Sequence, residues 1–141
     1  MGDELMEYVL SAFGVCWMCV AAIFGLALGV RQEAWLARLD TLAQGGKLLE
    51  HHREFSEFRG RVTVHAHAFL FAVICVVVSL VMNRLMFAPR IVSALAWAFI
   101  AATVIWSTGA MARFRPMMAL GDFVFLAALL VTAFGLVRAL L

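Results

Sequence analysis

The sequence predicts an all-α integral membrane protein, a four-helix bundle with a short interfacial helix between its first and second spans. Three observations carry this expectation. The 141-residue chain is 65% hydrophobic and only 14% charged, with a mean hydropathy of +0.99, whereas soluble domains run near half apolar and a quarter charged. The apolar residues gather into four stretches, each near the roughly 20 residues that a helix needs to cross hydrocarbon. The charges fall between those stretches. A single transmembrane domain over 1–141 accounts for this length.

The first span is expected over 8–30. It follows an acidic start (Asp3, Glu4, Glu7) rather than the basic region of a signal peptide, so it is expected to stay as a transmembrane helix. Ala21, Gly25 and Gly29 form a row of small residues at helical spacing that permits close backbone approach. Cys16 and Cys19 lie in this span and Cys75 in the next. An odd count within apolar segments argues against a disulfide framework. Polarizable packing is the plainer role, and an approach of the pair to Cys75 is the alternative.

The connection 31–61 is polar, yet Trp35, Leu36, Leu39, Leu42, Leu48 and Leu49 recur in it at loosely helical spacing. This pattern predicts an extension of the first helix, a break at Gly45-Gly46, and a short amphipathic helix along the interface. A plain solvated loop competes with that reading. His51 and His52 fall here beside Arg53 and Glu54, as expected of a solvated face.

The remaining spans are expected over 62–82, 91–112 and 117–137. Pro89 and Pro116 stand where they can start the third and fourth helices without breaking an interior. Ala94, Ala98 and Ala102 repeat the small-residue spacing on the third helix. Eight of the 11 Lys and Arg residues lie in the first and third connections, against Arg84, Arg90 and Arg138 on the other side. By the positive-inside rule the long connection faces the cytoplasm and both termini face out. In a bacterial inner membrane the termini would be periplasmic.

Polar residues then coincide in depth. His65 and His67 lie four and six residues past Arg61, roughly 6–9 Å along the helix. Asp122 follows Pro116 by six residues, and Ser107 and Thr108 precede Arg113 by six and five. An intramembrane titratable side chain is a functional-site hypothesis by default. Residues i and i+2 of a helix point about 200° apart, so the two imidazoles cannot easily share one ion and would serve partners on opposite sides. His65 and His67 are the candidate cofactor or metal ligands. Asp122, Ser107, Thr108 and Arg113 are the candidate supporting groups or proton relay. Against this stands a purely structural role, in which each histidine donates to a carbonyl or hydroxyl and locks helix packing. Asp122 has its own plain reading as an acid in the first turns of a helix.

The run Phe55-Ser-Glu-Phe-Arg-Gly60 followed by Val64-His65-Ala-His67-Ala-Phe-Leu resembles the second-helix signature of a family of small, uncharacterised four-helix bacterial membrane proteins. Gly25 to Gly29 is similar to the end of their first helix. The chain departs from them in having Phe71-Ala72 where a glycine is expected, and the likeness implies no function. His65-Ala-His67 is also similar, distantly, to the helix of haem-copper oxidases in which the two rings ligate two haems on opposite sides. That likeness implies haem as the cofactor, with copper or none as alternatives. The chain lacks the further histidines of a complete oxidase, so an opposing ligand would come from Met, a second protomer or a partner subunit.

The leading expectation is therefore a membrane protein binding a haem-type or metal cofactor in electron transfer or respiratory-complex function. The alternative is a non-catalytic accessory or assembly subunit of a larger complex. The expected partners are the lipid bilayer and either a second copy or other membrane subunits. Nucleic acid is excluded by the few, mixed charges. A proton-coupled carrier fits poorly, since four helices without a repeat offer little for alternating access. No hydrolase or kinase motif is present.

Overall fold

The computed structural model describes residues 2–141, with side chains from residue 5 onward. Helix α1 runs Gly2–Gln44, α2 Leu48–Ser79, α3 Pro89–Met111 and α4 Arg115–Arg138, with a 3₁₀ turn Met82–Arg84 between α2 and α3. All four helices are long and apolar enough to cross a membrane, as an integral membrane protein requires.

Length separates the helices into two pairs. At 1.5 Å per residue, α3 with 23 residues and α4 with 24 extend about 35 Å, close to the hydrocarbon thickness of about 30 Å. Helices α1 and α2, with 43 and 32 residues, extend about 65 and 48 Å. Their surplus forms an antiparallel hairpin that stands beyond the bundle as a stalk. The expected interfacial helix does not exist as a separate element: its residues form the first turns of α2, which continues unbroken into the span. Cross-helix contacts explain why. Trp35 meets Phe58 edge-on at 5.1 Å, the Arg61 guanidinium lies 5.1 Å over the Trp35 ring, Arg38 pairs with Glu54 at 2.9 Å, and Leu39 is buried. Trp35 and Leu39 are thus covered by the α1–α2 hairpin itself, whereas Leu36, Leu48 and Leu49 stay exposed.

The hairpin turns where the sequence predicts. Gly46 takes the left-handed conformation, with φ of 68°. The Gly46 and Lys47 N–H groups donate to the Ala43 and Leu42 carbonyls, closing the last turn of α1. Pro89 and Pro116 both occupy the first turn of their helices.

In the bundle, α1 packs on α2, α3 packs on α4, and α3 also contacts both α1 and α2. The core is aromatic. Phe71 stacks on Phe125 at 4.2 Å and meets Trp106 edge-on at 5.5 Å, while Phe99 meets Phe125 edge-on at 5.1 Å. Glycine allows the closest approach of α3 and α4: a Cβ at Gly121 would stand 2.8 Å from the Trp106 backbone nitrogen.

Two small-residue rows differ from expectation. On α1, Ala21 is buried and Gly25 sits under a neighbouring side chain, but a Cβ at Gly29 would meet nothing within 4 Å. Gly14, two turns the other way from Ala21, packs against Ala72 and Val76 instead. On α3, Ala102 is fully buried while Ala94 is exposed. In both helices the buried face is set by the partner's shape, not by the row alone.

Candidate functional site

Helix α2 carries both His65 and His67, and its 100° per residue turns them to different neighbours. His65 faces α1. Its Nδ1 lies 3.0 Å from the Ala21 carbonyl oxygen, and because a carbonyl only accepts, Nδ1 carries the proton and donates. The ring lies over Gly25, where a Cβ would stand 2.7 Å from His65 Nε2. The glycine is the seat and the imidazole fills it, with Phe24 and Phe69 flanking at 6.4 Å.

His67 faces α3. Its ring stacks on Trp106 at 5.0 Å with the planes 11° apart, and Phe71 meets it edge-on at 6.3 Å. Its Nδ1 donates to the Thr63 carbonyl one turn back on its own helix, at 3.0 Å. His67 thus has a hydrogen-bonded Nδ1 and an exposed ring whose Nε2 makes no hydrogen bond among the described residues, whereas the edge of His65 bearing Nε2 is closed by α1.

The supporting residues expected from the sequence do not gather around these rings. Asp122 is exposed and makes no hydrogen bond or ion pair among the described residues. It stands next to Gly121, which holds the α3 contact, so its carboxylate is turned to the flank of α4. Thr108 is exposed. Ser107 is buried, and its hydroxyl finds no hydrogen-bond partner among the described residues. Arg113 reaches Glu57 on α2 at 3.7 Å rather than Asp122. The cysteines also stay apart. Cys16 and Cys19 are exposed on α1, while Cys75 is buried with its Sγ 3.9 Å from Thr103 Oγ1.

No group of three or more His, Cys, Asp or Glu residues is placed to hold a metal ion among the described residues. Two partners of the histidines were not singled out from the sequence: the Ala21 carbonyl and the Trp106 face. Both had signals, a small residue at the depth of His65 and a tryptophan beside Ser107. A third feature escaped sequence reasoning. It is a cavity of about 600 Å³ at the stalk end of the bundle, bordered by Arg59, Arg61, Arg113 and Arg115. No protein-family profile, curated protein or solved structure matches this chain.

Proposed function

We propose that this chain is a non-catalytic, membrane-embedded accessory subunit whose intramembrane histidines hold helices together. The observation that supports this reading most directly is the seating of His65. The ring edge bearing Cε1 and Nε2 is closed by Gly25, and its Nδ1–H is given to the Ala21 carbonyl. A hydrogen bond across a helix pair in lipid contributes about 0.6 kcal/mol on average, and up to about 1.7. That is a packing device, and it leaves Nε2 no approach for an iron or copper atom from the α1 side. At the depth of His67 the space between helices is filled by Trp106, Phe71 and Phe125.

Purification of the full chain in mild detergent tests the reading. The expected product is colourless before and after dithionite and travels with further membrane subunits. His65→Ala is expected to weaken that association or the fold without changing a spectrum. A Soret band that vanishes in His65→Ala overturns it.

A second reading rests on His67 alone. Its Nδ1–H is anchored to a carbonyl, which is the arrangement that orients a ligating imidazole, and its ring is exposed. The residues fit one axial ligand to a haem-type group, not two, and such a group would lie outside the four helices against a second protomer or partner. Electron transfer would then be shared with that partner. A Soret band lost in His67→Ala but retained in His65→Ala supports this reading.

A further inference from the structure

At the stalk end, where α2 leaves the bundle and α3 turns into α4, four arginines border a single cavity of about 600 Å³. They come from two places in the chain, Arg59 and Arg61 on α2, and Arg113 and Arg115 at the α3–α4 turn. Glu57 is the one acid in the lining. It is engaged with Arg113 at 3.7 Å, and Arg61 also rests on Trp35. Arg59 and Arg115 make no ion pair among the described residues. Like charges crowded at one mouth repel, so an unfilled mouth of this composition is electrostatically unfavourable and an anion relieves it.

The inner wall is of the opposite character. Phe24, Val64, Ala110 and Met118 line it, and Ser107 lies one helical turn deeper than Ala110 with its buried hydroxyl unpartnered. An arginine rim over an apolar wall suits an amphiphile, with its charge at the rim and its chains in the membrane.

The backbone at the rim places one of these arginines in an uncommon conformation. Helix α3 ends in the same motif as α1: the Phe114 N–H donates to the Gly109 carbonyl and the Arg113 N–H to the Ala110 carbonyl. In that motif the left-handed residue is usually glycine. Here it is Arg113, with φ of 55°. Gly46 fills the equivalent place at the stalk tip. A side chain adopts this conformation only against a steric penalty. At this turn the penalty coincides with a guanidinium directed to the cavity mouth and to Glu57.

We propose that this cavity binds a phosphate ester, with Arg59 and Arg115 as its principal contacts and an anionic phospholipid as the ligand that its apolar wall best accommodates. Guanidinium forks match phosphate oxygens in pairs, and basic pockets between transmembrane helices take anionic headgroups. The proposal is independent of the role assigned to the histidines.

The test uses the full chain in detergent, titrated by native mass spectrometry with phosphatidylglycerol and with phosphatidylcholine of the same acyl chains. The wild type is expected to prefer phosphatidylglycerol. In the Arg59→Gln/Arg115→Gln double variant that preference falls by about 30-fold, with phosphatidylcholine binding, whose net headgroup charge is zero, reduced far less. Arg84→Gln/Arg90→Gln, at the opposite end of the bundle, leaves both unchanged. Thermal unfolding with inorganic phosphate and no lipid separates the sources. Stabilisation lost in the double variant assigns a soluble phosphate ligand, and stabilisation that requires phosphatidylglycerol assigns the lipid. Arg113→Gly suits the left-handed position and keeps the fold, so it provides a second variant that must also weaken binding. Equal binding of both lipids without a phosphate effect, or variants that bind like the wild type, overturns the proposal.

Discussion

Toward α1, helix α2 presents a polar ring to a backbone; toward α3 and α4 it presents aromatic planes to one another. On the first side, His65 fills the space over Gly25 and gives its proton to Ala21. On the second, His67 joins a stack that continues through Trp106 and Phe71 to Phe125. The two sides achieve the same end by different physics. Lipid offers no hydrophobic drive for helices to meet, so association rests on close packing and on polar groups that lack water. The α1 side uses one directional bond and a glycine seat. The α3–α4 side uses dispersion over large surfaces, and it holds the fully buried residues Phe99 and Thr103.

Truncation is therefore expected to hurt most on the aromatic side. Trp106 is only 2% exposed, and Trp106→Ala is expected to cost about 3–5 kcal/mol, read as loss of folded protein in thermal unfolding in detergent. A wild-type midpoint in that variant would remove the aromatic side from the account. Next in size are the glycine seats. Gly25→Ala drives a methyl into the His65 ring and is expected to cost about 1–3 kcal/mol. Gly25→Ala combined with His65→Ala should recover part of that loss, because the second change removes the clash. Additive losses would show that the ring is not the obstacle.

The histidines themselves come third. His65→Ala should cost about 1 kcal/mol through its cross-helix bond, and His65→Asn should restore some of it. His67→Phe, which keeps a ring against Trp106, is expected to stay within about 0.5 kcal/mol of the wild type. Equal sensitivity of the two positions would erase the distinction between the sides. Smallest is Gly29→Ala. With nothing within 4 Å of the added methyl, helix propensity predicts a gain of up to about 1 kcal/mol. A loss there would place an unseen neighbour on α1.

The stalk extends the comparison outside the membrane. There Arg38 and Glu54 pair at 2.9 Å, with the arginine 63% exposed, so water screens them and the pair contributes no more than about 1 kcal/mol. The same two helices are therefore joined by a polar clamp in lipid and by Trp35, Phe58 and Leu39 in water. In each medium the effective contact is the one the solvent does not already supply.

Composition was enough to establish four membrane-spanning helices, because roughly 20 consecutive apolar residues have no comparable use elsewhere. Local chemistry set their limits. Pro89 and Pro116 start helices since they need no N–H partner there, and Gly45-Gly46 ends one since only glycine enters the left-handed turn freely. The divergence of His65 and His67 followed from helix geometry alone. Their partners did not. A span that is apolar all round carries no amphipathic signal to separate its bundle-facing side from its lipid-facing side. Ala21 and Trp106 therefore could not be assigned to the two rings, nor Gly25 told from Gly29. The arginine-rimmed cavity was further out of reach, because Arg59 and Arg115 lie 56 residues apart and only the packing of α2 beside the α3–α4 turn brings their charges to one mouth. Identity and spacing along one helix are properties of the chain; proximity between helices is a property of how their surfaces fit.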